Sequence, residues 1–247
     1  MILVSHVNLR IVVYLSLISG VLGQRPTIPD QVVKASPSVA LISAWGGSSD
    51  VLPLGGTAVV VQSNGVLLTA YHVIRDAYSV QVRFKSGEVF DDVQLLGVDA
   101  RRDVAAIRIR GTGLPALMAG SISDAKPGDA VTVIGDPFSL PWSVSPGIIS
   151  RIPLADEVPW RGTGYRVVEF SGAAWQGSSG AVLLDSQGRA LGLILGRPPS
   201  PQNLDFAVPI ENVLALANVA VAKTYANAKL HPPGDSMRGL ALPPKEQ

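Results

Sequence analysis

The sequence predicts an all-β protein. Its apolar residues fall into about a dozen short runs dominated by Val, Ile and Leu, each bounded by turn residues. Glycine- and asparagine-bearing turns separate them, and the composition is 47% hydrophobic but only 16% charged. A chain of 247 residues suffices for one large β domain or two halves sharing a cleft. Strands at this spacing fit a sandwich or paired barrels.

In chain order, an N-terminal leader comes first. Arg10 precedes the uncharged run Ile11–Gly23, which is shorter than the roughly 20 residues of a membrane-spanning helix and has the length of a signal-peptide core. Val21 and Gly23 suit a cut before Gln24. Residues 1–23 are therefore expected to be a signal peptide, with an uncleaved membrane anchor as the other reading, and 24–36 an N-terminal extension. Strands are expected at Ser38–Trp45, Gly56–Gln62, Val66–Thr69, Ser79–Phe84, Val89–Asp99 and Val104–Arg108. A second group follows at Ala130–Ile134, Ser145–Arg151, Tyr165–Phe170, Ala181–Asp185, Ala190–Leu195 and Asp205–Val208. Ser63-Asn64-Gly65, Lys85-Ser86-Gly87 and Ser186-Gln187-Gly188 read as hairpin turns, because Gly or Asn tolerates the positive φ they need. Pro209 opens an expected helix, Ile210–Ala222, which closes a domain spanning 37–222. The stretch 223–247 reads as a flexible tail.

Composition also removes function classes. The chain has no cysteine, which excludes disulfides, thiolate metal sites and a cysteine nucleophile. Net charge is +1 and no segment concentrates Lys and Arg, so no nucleic-acid partner is expected. One histidine in the core region cannot furnish a usual zinc site, and no nucleotide-binding fingerprint is present; no metal and no cofactor are expected. Export without cysteine points to a periplasmic or secreted protein of a bacterial envelope.

His72 is that histidine, since His6 lies in the leader and His231 in the tail. Downstream stand Asp103, in Asp-Val-Ala-Ala-Ile-Arg-Ile, and Ser179, in Trp-Gln-Gly-Ser-Ser-Gly-Ala. A nucleophilic serine needs a base to take its proton, and the base needs an acid to fix its tautomer. The order His, Asp, Ser is that of chymotrypsin-type enzymes, whereas α/β-hydrolases run Ser, acid, His. Asp99 is the alternative acid. Ser179 is favoured over Ser178 as nucleophile because the oxyanion donors would then be the N–H groups of Gly177 and Ser179, with glycine where the backbone must turn.

Several segments resemble the HtrA/Deg family of disulfide-free, trypsin-like peptidases. They are Gly55-Gly56-Thr57-Ala58-Val59-Val60-Val61 with Leu67-Leu68-Thr69-Ala70-Tyr71-His72-Val73-Ile74, and the Asp103 strand. Ile134-Gly135-Asp136-Pro137-Phe138, Val144-Ser145-Pro146-Gly147-Ile148-Ile149-Ser150, Gly177-Ser178-Ser179-Gly180 and Asp205-Phe206-Ala207-Val208-Pro209 continue the match. The resemblance covers roughly Pro37 to Ala222 and implies two six-stranded antiparallel β-barrels with the triad between them. It implies a serine endopeptidase acting on polypeptides.

Departures from the family pattern are informative. Ser178 stands where Asn or Asp is usual, so activation by pairing a new N-terminal amine with an aspartate there is not expected. Ala181-Val182 replace Gly-Pro. Ala173, six residues before the nucleophile, should lie at the base of the S1 pocket and offers no acid to a Lys or Arg side chain. The strand through Leu193, Ile194 and Leu195 should line the cleft and bind substrate backbone by strand addition, with small or medium aliphatic P1 residues preferred. Trp175 either shapes that pocket or belongs to the core. About 25 residues follow the expected helix, too few for the PDZ domain common in the family, so a monomer or small homo-oligomer is expected, with membrane association only through an uncleaved leader. The competing reading is a latent or inactive pseudopeptidase that serves as a peptide-binding scaffold.

Overall fold

The computed structural model describes residues 26–46, 49–137, 140–158, 162–174, 177–195 and 204–226, side chains at 49–52 excepted. The expected leader, Trp175 and the tail beyond Ala226 lie outside these residues. Two antiparallel sheets carry the fold. The first contains β1 (Val39–Gly46), β2 (Ser49–Gln62), β3 (Val66–Ala70), β4 (Ala77–Phe84), β5 (Val89–Phe90), β6 (Val93–Asp99), β7 (Val104–Ile109) and β14 (Lys223–Thr224), in the order β14-β6-β7-β3-β2-β1-β4-β5. The second is a closed barrel of β8 (Ala130–Gly135), β9 (Ser143–Arg151), β10 (Val168–Ser171), β11 (Val182–Leu184), β12 (Ala190–Ile194) and β13 (Asp205–Pro209), in the order β10-β13-β12-β11-β8-β9.

The period-2 alternation of these strands sorts their side chains into three cores. Along β7, Ala105, Ile107 and Ile109 face the interior of the first sheet with Ile42, Val80 and Val82. Val104 and Ala106 face the opposite way, into a layer shared with Ile134, Val182, Leu193 and Val208 of the barrel. The barrel interior holds Val131, Val133, Ile149, Phe170 and Leu183. The shared layer fixes the two halves against each other, and the functional residues lie at its rim.

The expected all-β, trypsin-like architecture is present, but only the second half is a closed six-stranded barrel; the first is an eight-stranded sheet rather than a second six-stranded barrel. Its seam is closed by residues that the sequence reading assigned to a tail. Lys223 and Thr224 pair with Leu95 and Gln94 of β6. Ala226 crosses to β4, where its N–H donates to Tyr78 O at 2.9 Å and its carbonyl accepts from Ser79 Oγ at 3.1 Å. Tyr225 between them is buried, and its hydroxyl donates to Ile74 O at 3.3 Å. The flexible-tail expectation is thus corrected for 223–226.

Two further corrections concern helices. The helix expected over Ile210–Ala222 is two short 3-10 turns, Ile210–Asn212 and Leu214–Asn218. Val213, at φ −125° and ψ −4°, separates them, and Ile210, Val213 and Ala217 are all buried in the shared layer. Tertiary packing there overrides a helix-compatible composition. Conversely, the expected extension contains α1 (Ile28–Ala35), started by a capping box between Thr27 and Asp30. Its buried Gln31 donates to Ser186 O and accepts from Thr132 Oγ1, both at 3.2 Å, and so fastens the helix to the barrel. The pairing of β1 with β2 runs as far as Gly46 opposite Ser49.

Candidate active site

Register brings the first two candidate residues together. β3 and β7 pair antiparallel with Ala70 opposite Val104, so the residues just beyond, Tyr71-His72 and Asp103, face each other across the strand ends. The chain turns into α2 (Tyr71–Ile74) there, and Tyr71 N–H donates to Asp103 O at 2.9 Å. Asp103 has φ +56°, a left-handed conformation that aspartate tolerates better than most residues. Its carboxylate accepts from His72 N–H at 2.8 Å through Oδ1 and meets His72 Nδ1 at 2.6 Å through Oδ2. With Nδ1–H committed to the carboxylate, Nε2 carries the lone pair. That atom lies 3.0 Å from Ser179 Oγ.

Ser179 lies in the turn before β11, and both flanking glycines have positive φ, Gly177 at +94° and Gly180 at +83°. Gly180 has a second constraint: a Cβ there would stand 2.1 Å from Thr57 O. The turn is bonded to the other half through Thr57, whose N–H donates to Ser179 O at 2.9 Å and whose Oγ1 donates to Gly177 O at 3.1 Å. Gly180 N–H donates to Ile194 O at 2.9 Å. Ser178 is buried, 1% exposed, while the neighbouring Ser179 reaches the imidazole. Asp99, the alternative acid, is bonded to Arg102 at 2.6 Å. Burial alone would raise its carboxyl, but the Arg102 side chain and backbone hold it below the ordinary carboxylate range.

The expected substrate-binding residues divide. Ala173 is exposed, and its N–H donates to Ser145 Oγ at 2.9 Å. Leu193 and Ile194 lie within β12, which is flanked by β11 and β13, so strand addition to their backbone is ruled out. Their side chains and that of Leu195 are buried, and Leu195 N–H is taken by Phe206 O at 3.0 Å. Gly196, the next residue, lies outside the described residues.

Sequence reasoning missed three neighbours of the site: Thr57, Asp205 and the particular environment of Asp136. Asp205 Oδ2 accepts from Ala174 N–H at 3.1 Å. Asp136 follows Gly135, which packs against Ala181 and Thr57, and its Oδ1 is buried without a hydrogen-bond partner among the described residues. Burial pushes its carboxyl up to about 6 against the opposing pull of Arg83. Chemically, a hydroxyl held at 3.0 Å from a carboxylate-oriented imidazole can lose its proton as it attacks a carbonyl carbon.

A family model for the trypsin-like peptidase domain matches residues 56–193. The serine endoprotease DegS of Haemophilus influenzae is 32% identical over 212 residues, 79% of this chain and 60% of that protein. A DegP-like serine endoprotease of Ectopseudomonas mendocina, whose name assigns it to the periplasm, is 31% identical over 169 residues, 66% of this chain and 34% of that protein. The chain thus spans only part of these relatives' length. The solved structure of the HtrA-type protease AlgW with a tripeptide superposes with a TM-score of 0.69 at 28% identity, covering 77% of this chain and 62% of that one.

Proposed function

The chain belongs to the trypsin-like peptidases of HtrA type, and from that premise we propose that it is a serine endopeptidase working through His72, Asp103 and Ser179. The continuous hydrogen-bonded path from Asp103 through His72 to Ser179 Oγ carries the proposal. His72 Nε2 takes the Ser179 proton as Oγ attacks the scissile carbonyl carbon; Asp103 orients the ring and stabilises the imidazolium. The N–H groups of Gly177 and Ser179 receive the developing oxyanion. Collapse of the tetrahedral intermediate expels the amine, protonated by His72, and leaves an acyl-Ser179 ester that water hydrolyses along the same path.

The substrate is a polypeptide, in keeping with the tripeptide held by the related AlgW. Its backbone adds as a strand at the Leu195 carbonyl, past the end of β12. A small or medium aliphatic P1 side chain suits a pocket with Ala173 at its base; Asp205, the carboxylate beside that base, is 1% exposed and turned to a backbone amide. An envelope location follows from the leader reading and from the periplasmic relative. The test is a fluorophosphonate probe on the purified chain with Ser179→Ala alongside. Labelling at Ser179 that vanishes in the variant, with hydrolysis of casein, is expected. A folded protein that takes no label would overturn the reading and turn the search to peptide ligands.

A further inference from the structure

We propose that Asp205 is a positioning residue for the oxyanion turn, its carboxylate holding from inside the barrel the stretch that leads into Gly177 and Ser179. The inference rests on the hydrolase reading above and adds a residue to it. Asp205 opens β13 opposite Phe170 of β10, on the same strand face as Ala207, whose side chain fills the barrel interior. It is 1% exposed in a barrel otherwise lined by Val131, Val133, Phe170 and Leu183. A carboxylate in such surroundings is costly unless its charge is met by donors.

One of those donors is a backbone amide at the critical place. Ala174 N–H donates to Asp205 Oδ2 at 3.1 Å, and the preceding amide, Ala173 N–H, donates to Ser145 Oγ at 2.9 Å. On the far side of the turn, Thr57 grips Gly177 O and Ser179 O. Only residues 175 and 176 separate the two anchored ends. Release of the Asp205 anchor is expected to loosen the aim of the Gly177 amide. The residue before the nucleophile, Ser178, offers no carboxylate, so the charged anchor of this turn comes from β13. A bond between an ionised acceptor and a backbone amide is stronger than a neutral one, which suits it to hold the turn shut.

The test compares Asp205→Ala and Asp205→Asn with the wild-type chain, since Asn keeps an oxygen that accepts the Ala174 N–H. Three readouts are taken: kcat and KM on a peptide amide, inhibition by a peptide boronic acid, and hydrogen exchange over residues 172–180. The boronate becomes tetrahedral on Ser179 and puts an oxygen where the oxyanion forms. Asp205→Ala should lower kcat about 10–100-fold and weaken the boronate by the same factor, part of the loss that follows removal of a whole oxyanion donor. KM for a substrate with a small aliphatic P1 residue should move less than kcat, because the Asp205 carboxylate is buried and turned to a backbone amide. Exchange at Ala174 should quicken, and Asp205→Asn should recover most of each effect. A residue that merely stabilised the barrel would lower the melting temperature and leave the ratio of boronate affinity to KM unchanged, and that result overturns the proposal. If the wild type neither hydrolyses peptide nor binds boronate, the hydrolase reading fails. Exchange then still decides the anchor: quickened exchange in Asp205→Ala supports it and unchanged exchange overturns it.

Discussion

Replacing Asp136 by asparagine should make the protein more stable at neutral pH and leave it unchanged in acid. The substitution keeps the shape of the side chain and removes its charge. In the folded protein the carboxyl is pushed up to about 6 from an ordinary 3.8 by burial, with Arg83 pulling the other way. Because the folded value lies above the unfolded one, the folded state binds the proton more tightly. Stability is therefore highest below about pH 4, declines as pH rises to about 6, and carries the full penalty of an ionised buried carboxylate above that. A displacement of about 2 pH units corresponds to a ceiling of about 3 kcal/mol. Residual contact with water reduces that to about 1–2 kcal/mol. For a domain of this size the difference amounts to about 2–8 °C in melting temperature. The assay is thermal unfolding of Asp136→Asn against its parent at about pH 7.5 and about pH 4.5, both in a Ser179→Ala background so that self-digestion cannot distort the curves. A gap of equal size at the two pH values, or a variant less stable at pH 7.5, would refute the reasoning.

Three further outcomes are expected. Asp103→Asn should leave the fold intact and lower kcat by about 10³–10⁴-fold, because the amide no longer enforces the tautomer that frees Nε2; steady-state kinetics on a peptide substrate checks it. Gly180→Ala places a methyl 2.1 Å from Thr57 O at a φ of +83°. The turn must distort, costing about 2–4 kcal/mol in urea unfolding and at least about 10²-fold in kcat/KM, and near-wild-type turnover would contradict the geometry. Tyr225→Phe removes the hydroxyl bonded to Ile74 O, which should cost about 1–2 kcal/mol in the same urea experiment.

How much of this was legible in the sequence depends on what kind of fact each residue carries. His72, Asp103 and Ser179 were legible because proton transfer restricts the residue types, and their order and flanking strands restrict the positions. The strands of both sheets were legible because alternation leaves a local signature, as along Val104–Ile109. The seam at Lys223–Ala226 was not, since two paired residues and a bridge carry no periodicity and their partners lie on β6 and β4. The stretch 210–222 misled for a different reason. Its Leu, Ala and Val content suits a helix, and Ile210, Val213 and Ala217 even share helical spacing, but the backbone at Val213 breaks the stretch into two 3-10 turns, for which the sequence carries no signal. Thr57 and Asp205 are ordinary strand residues in the sequence. Only strand pairing and the path of the nucleophile turn put their polar atoms against its backbone.

The seam sets an order of events during synthesis. Ser79 and Ala226 are 147 residues apart, which a ribosome covers in roughly 7–30 s at its usual pace. Through that interval the nascent first half has its strands but not their closure, and an apolar interior open along one edge. The carbonyl of Ile74, at the end of the His72 turn, also waits for the Tyr225 hydroxyl. The bond accepted by Ile74 O therefore cannot form until the residues of the serine-bearing barrel have been synthesised. Base and nucleophile mature together, late, and chaperones that shield open sheet edges have that window in which to act.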